Sequence, residues 1–183
     1  MGTFQQLVGI ILERKGYWVW SGFKVGFSKA EKRAIDRPSS PRWELDIIAY
    51  KGASNELLVV ECKSYLDPKG VTFKSFDPHD KTSNRYKLFI EPRLRQTVFR
   101  RLTSQLVRDS SGGPLPAIKL CLAAGKTATE QDHRCLTDRF QKEGWRLWDD
   151  DWIRNALKEM SESGYEHDTS AVVAKLLLRQ RSG

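Results

Sequence analysis

With 183 residues, 39% of them hydrophobic and 10% aromatic, the chain can bury a sizeable core and is too apolar to be disordered. Its 31 Lys and Arg against 23 Asp and Glu give a formal net charge of +8, which points to a polyanionic partner. Its three cysteines, Cys62, Cys121 and Cys135, are an odd set with no CxxC spacing; that argues against a disulfide framework and a zinc site and fits a reducing cytoplasm. No long apolar run or signal peptide stands in the sequence, so a soluble, cytoplasmic protein with no membrane partner is expected.

In chain order, residues 3 to 15 read as a helix. Phe4, Leu7, Val8, Ile11 and Leu12 recur at three- and four-residue spacing and Gly16 supplies the stop. Tyr17 to Trp20 is a short β-prone run. Residues 21 to 42, with six Lys and Arg and the closing Pro38-Ser39-Ser40-Pro41, read as an exposed loop or ragged hairpin.

The next 22 residues are the most informative. Trp43 to Tyr50 and Glu56 to Ser64 are two apolar, β-prone runs around the turn residues Lys51 to Asn55, which predicts a β-hairpin. Strand alternation puts Glu44 and Asp46 on one face and Leu45, Ile47 and Ala49 on the other; in the second strand Glu61 and Lys63 share a face with Leu57 and Val59. Three acids and a lysine therefore gather at one end of two greasy strands. Charges in core strands are paired, bind metal or do chemistry.

Residues 64 to 92 are irregular, a long connection of a kind that is usually functional or mobile. From Arg93 to Arg108 the i, i+4 stripe Leu94, Val98, Leu102, Leu106 predicts a core-facing helix. Between Lys81 and Arg108 stand Lys81, Arg85, Lys87, Arg93, Arg95, Arg100, Arg101 and Arg108 against one acid, Glu91. Such a run is either a solvated face or a phosphate-binding surface. After the loop Ser110 to Pro116 come a strand over 117–123, a helix capped by Thr129 and ending near Gly144, a strand Trp145 to Trp148, a helix capped by Asp149 or Asp150, and a last helix with Val172, Val173, Leu176 and Leu177. The six tryptophans are read mainly as core, with Trp43 beside the acidic cluster the exception; His79, His133 and His167 read as surface residues.

The acids and the lysine suit phosphodiester hydrolysis. Mg²⁺ takes carboxylate oxygens and keeps several waters, so Asp46 and Glu61 on neighbouring strands would hold it (or Mn²⁺), with the backbone carbonyl of Cys62 completing the protein share. Lys63 points into the same space, where an ammonium orients water and offsets phosphate charge. A salt bridge between Glu61 and Lys63 beside a solvated Asp46 is the structural alternative. No GxxxxGK[ST] loop is present, which argues against NTP hydrolysis.

The pattern Glu44-Leu45-Asp46, hairpin, Glu61-Cys62-Lys63, following a helix that closes in Gly16, resembles the PD-(D/E)XK nuclease superfamily, most closely its Mrr-like and archaeal Holliday-junction resolvase-like branches. The resemblance covers roughly residues 3 to 155. It implies an α/β fold with a restriction-endonuclease-like three-layer core, a central mixed sheet of four to five strands flanked by helices, a divalent metal and a nucleic-acid substrate, DNA before RNA. It carries the catalytic aspartate, glutamate and lysine onto Asp46, Glu61 and Lys63. Leu45 stands where the family's name has proline. The family's opening helix often presents a glutamate toward the metal; here Gln5 occupies that place, so Gln5 and Glu44 are the candidates for further ligation, with Glu13, a turn or more further along the helix, the other. Gln96 opens the basic helix, where several branches place a glutamine near the site. Lys81, Arg85, Lys87, Arg93, Arg95, Gln96 and Arg100 are the expected nucleic-acid contacts.

The first expectation is a Mg²⁺- or Mn²⁺-dependent deoxyribonuclease in residues 1–160. Residues 161–183 form a helical extension packed on that domain or at a homodimer interface. The alternatives are an inactive nuclease-fold module that binds nucleic acid or assembles with protein, and an RNA-cleaving effector.

Overall fold

A computed structural model describes residues 2–39, 42–66, 69–107, 114–162 and 169–178. Pro41, Arg108, the Ser110 to Gly113 part of the expected loop and His167 lie outside the described residues.

The element order is α1 (Thr3–Arg14), β1 (Trp18–Gly26), α2 (Lys29–Ala34), β2 (Arg42–Lys51), β3 (Glu56–Lys63), α3 (Lys87–Ile90), α4 (Pro92–Val107), β4 (Ala117–Ala124), α5 (Glu130–Glu143), β5 (Arg146–Trp148), α6 (Asp150–Glu162) and α7 (Thr169–Leu178). The strands form one five-stranded mixed sheet in the order β1-β2-β3-β4-β5. The first three are an antiparallel meander; β4 and β5 join in parallel. Parallel neighbours need crossovers, and the helices of both crossovers, α4 and α5, bury their apolar residues in the same core, as a constant crossover hand requires.

Each sheet face has its own core. On one, Val8 and Leu12 of α1 pack on Ile47, Ala49, Leu58, Val60, Cys121 and Ala123. On the other, Leu94, Val98 and Leu102 of α4 and Leu136 and Phe140 of α5 cover Leu57, Val59, Leu120 and Leu122. Ile11 joins Ile153, Ala156 and Met160 of α6 with Ala171 and Ala174 of α7 in a third cluster. The result is a three-layer α/β core. Full burial of each large aliphatic side chain in the α4 stripe contributes about 1.5–3 kcal/mol.

Several readings of the sequence change. Residues 21 to 42 follow the hairpin alternative and not the loop: β1 runs on to Gly26 and pairs antiparallel with β2, and Lys29–Ala34 between them is helical because Ser28 and Glu31 form a capping box. The stretch 64 to 92 lacks long elements yet is well packed. Phe76 and Tyr86 are fully buried against each other, Phe76 meets Phe89 and Phe140 edge-on, and these two in turn meet Trp145 edge-on. Trp18 and Trp20 are not core: they are 82% and 61% exposed. His133 is not a lone surface residue either, since its Nε2 lies 2.7 Å from Oδ2 of Asp149, whose Oδ1 accepts the Trp152 N–H and caps α6.

Candidate active site at the split between β2 and β3

The ladder between β2 and β3 runs from Lys51↔Glu56 to Ile47↔Val60 and stops. Asp46 is the first residue of β2 beyond it. On the other side of Asp46, the β1–β2 pairing skips Gly22, which takes φ +65°, a conformation open to glycine because it has no Cβ. The bend has a visible consequence. Leu45 packs with Phe23 and Ile48 in the α4-side core, whereas regular alternation would put it with Ile47 on the α1 side. The expected facing of the first strand is therefore broken at Asp46.

Two hydrogen bonds fill the break. The Asp46 carboxylate (Oδ2) accepts the backbone N–H of Cys62 at 2.8 Å, and the Asp46 backbone carbonyl accepts from the Gln5 side-chain amide. The N–H and C=O of one strand residue point the same way, so the Cys62 carbonyl faces the same gap. On its other edge β3 stays paired: Lys63 is in register with Ala124, and the Gly125 N–H donates to the Lys63 carbonyl at 2.9 Å. Gly125 has no alternative, because a Cβ there would lie 1.8 Å from the Ser64 carbonyl oxygen.

Glu61 and Lys63 form an ion pair, Oε1 to Nζ 2.6 Å, with side chains only 19% and 17% exposed. Burial raises the Glu61 carboxyl above its ordinary range and the Asp46 charge adds to the rise; the Lys63 ammonium opposes both. Lys63 Nζ also sits 5.8 Å above the Tyr86 ring. Burial pushes the Tyr86 phenol up, with Tyr65 and the Glu61 charge adding to it. The Tyr65 hydroxyl accepts from Arg85 Nη1 at 2.6 Å, linking the buried pair to an exposed guanidinium. Sequence reasoning missed Tyr65 and Tyr86. They fall in an aperiodic stretch, where nothing local says which aromatic turns inward. Cys62 turns its thiol toward the α1-side core, and burial raises that thiol well above its usual value, which disfavours the thiolate.

The structure thus brings together Asp46, Glu61, Lys63, the Cys62 backbone and Gln5. It does not bring in Glu44, which is exposed and places Oε1 over Gly22, 3.7 Å from where a Cβ would be. Among the described residues no three His, Cys, Asp or Glu side chains are grouped closely enough to hold a metal ion.

The basic stretch divides. The Arg95 guanidinium donates to the Leu88 and Phe89 carbonyls and lies over Trp145, and Arg101 donates to the Gly26 carbonyl. Both hold the fold. Arg100 pairs with Glu31 of α2 at 3.3 Å. Arg37, in the basic segment before β2, is held bidentately by Glu91. The side chains of Lys81, Lys87 and Arg93 make no hydrogen bond or ion pair among the described residues, and the exposed Gln96 side chain makes no hydrogen bond there.

No protein-family model matches the chain, and no curated protein matches it. Among solved structures it is similar to a crystallised protein of unknown function, AF1548, with a TM-score of 0.45 and 14% identity over 99% of this chain and 73% of that one. Among the described residues no helix is long and apolar enough to cross a membrane.

Proposed function

We propose that the protein is a divalent-metal-dependent endonuclease of the PD-(D/E)XK type, acting on DNA at the split between β2 and β3. The observation that carries the proposal is the Asp46–Glu61 pair of carboxylates beside the Lys63 ammonium, enclosed where the central sheet opens.

The donor set suits a hard cation. Two carboxylates and the Cys62 carbonyl are oxygen ligands, and a buried carboxylate whose charge is under-compensated gains from a nearby divalent ion. Mg²⁺ or Mn²⁺ held there would activate water and neutralise charge on the phosphate. Asp46 is oriented by the Cys62 N–H, and Lys63 is held by Glu61 over Tyr86, so its ammonium can orient the attacking water and offset phosphate charge. Within the stretch from residue 81 to 107, the side chains of Lys81, Lys87 and Arg93 have no ion pair among the described residues and would meet backbone phosphates, and Arg85 stands at the rim through Tyr65.

The test is incubation with supercoiled, linear, branched and single-stranded DNA, and with RNA, in Mg²⁺ or Mn²⁺. Metal-dependent DNA cleavage lost in Asp46→Ala, Glu61→Ala and Lys63→Ala is expected. No cleavage of any DNA, or cleavage undiminished in Asp46→Ala, would overturn the proposal. Cleavage of RNA alone would make it a ribonuclease. A second reading, a nuclease fold kept for binding, is favoured by the uncharged Gln5 and by the lack of a three-residue ligand group among the described residues. It predicts salt-sensitive DNA binding with no Mn²⁺ isotherm by calorimetry.

A further inference from the structure

Gln5 occupies the place from which an acidic side chain on α1 would reach the site, and its role can be read from the fold. On α1, Gln5, Val8 and Leu12 follow one another at i, i+3 and i+7 on a single face. Val8 and Leu12 lie over Ile47 and Ala49 of β2, so the next position toward the start of the helix lies over the start of the split. There the amide of Gln5 donates to the Asp46 backbone carbonyl.

That carbonyl needs a partner. By strand alternation the Asp46 backbone groups face β1, and the β1–β2 pairing lapses at Gly22, opposite Asp46. Left unmet in this half-buried position, the carbonyl would draw β2 back toward ladder pairing or toward water. Either movement would carry the Asp46 carboxylate away from the Cys62 N–H.

We infer that Gln5 is a positioning residue. Its side-chain N–H pins the Asp46 backbone at the split, and this aims the Asp46 carboxylate at Cys62 and into the gap beside Glu61. Gln5 is turned to the backbone as a donor, so α1 adds no ligand charge. The acidic share of the site is then Asp46 and Glu61, offset by Lys63. The structural half of this inference stands on the two hydrogen bonds alone; its consequence for a bound cation rests on the nuclease reading above.

The two roles open to position 5 predict opposite results for Gln5→Glu, which keeps the shape, removes the donor and adds a carboxylate. A ligand role predicts tighter Mn²⁺ binding. The backbone clamp predicts Mn²⁺ binding weakened about 10-fold, the low end for partners that orient a ligand. The decisive measurement needs no metal. Amide hydrogen exchange in EDTA should show the Cys62 N–H exchanging about 10-fold faster or more in Gln5→Glu and in the neutral, similarly long Gln5→Met, with distant β4 amides unchanged. Gln5→Lys, which retains a donor, should stay near wild type. Cys62 exchange unchanged in both donor-less variants overturns the inference, as does tighter Mn²⁺ binding by Gln5→Glu. If wild type binds no Mn²⁺ at all, the nuclease reading falls, and the exchange result still decides the role of Gln5.

Discussion

Lys63 and Glu61 stand two residues apart on one strand, their charged atoms 2.6 Å apart, and yet Glu61 is held above the ordinary carboxylate range. Burial outweighs the ion pair. Folding therefore strengthens this carboxyl's hold on its proton, so its contribution to stability is full below the unfolded pKa and is lost as pH rises through the raised folded pKa. In EDTA, the difference in melting temperature between wild type and Glu61→Gln should shift in favour of the variant between pH 4.5 and pH 8. Mn²⁺ should raise the melting temperature of wild type and leave Glu61→Gln unmoved. A pH-independent difference, or equal Mn²⁺ stabilisation of both proteins, would contradict the assignment.

The close approach of β4 to the strand carrying the site gives a second test. A Cβ at Gly125 would collide with backbone, the Ser64 carbonyl, so nothing flexible can yield. Gly125→Ala should destabilise by about 2–4 kcal/mol through the forced separation of the ends of β3 and β4. Urea denaturation measures this directly. A loss under about 0.5 kcal/mol, the size of an ordinary surface change, would show that the strand ends are not locked together there.

Much of this architecture could be read from the chain. The hairpin, α1 and α5 announce themselves by period, by turn residues and by the stops at Gly16 and Gly144, which take φ +82° and +70°. The membership of Asp46, Glu61 and Lys63 in one cluster followed from the same patterns. The bend at Asp46 did not, because its cause lies in another strand, at Gly22. Nor did the division of the basic stretch. Whether an arginine meets solvent, a carbonyl or a carboxylate depends on what the fold sets opposite it, and Glu31 and Gly26 are about 70 residues from Arg100 and Arg101. Trp18 and Trp20 fail as core for a related reason, while Trp43, Trp145, Trp148 and Trp152 pack into the cores as expected. A strand pattern tells which residues share a face, and not how far the covering helix reaches.

The exposed pair offers a direct check of that reach. α4 meets β1 at its far end, where Gln105 and Arg101 bond Lys24 and Gly26, and leaves Trp18 and Trp20 uncovered. Trp18→Ala should change stability by no more than about 0.5 kcal/mol. Trp20 rests edge-on against Phe23, with centroids 5.1 Å apart, so Trp20→Ala should cost about 0.5–1.5 kcal/mol more than Trp18→Ala. Iodide should quench a large share of the native fluorescence, and that share should fall sharply in the double variant. Quenching that does not change would place the two indoles under cover.

The basic residues separate by what they touch, and their substitutions should separate by what they alter. Lys81, Lys87 and Arg93 make no ion pair among the described residues, so replacing all three with Ala should leave the melting temperature within a degree or two. If they contact phosphates, the same change should flatten the plot of log affinity for duplex DNA against log salt by up to about 0.9 per contact. Arg95 should behave in the opposite way. Its guanidinium satisfies two carbonyls beneath the start of α4 and lies 5.1 Å from the Trp145 ring centroid, so Arg95→Ala should cost about 1–3 kcal/mol of stability and leave the salt slope unchanged. Salt-dependent binding and urea melts on the same two proteins decide it. A slope that survives the triple substitution would remove Lys81, Lys87 and Arg93 from the nucleic-acid surface.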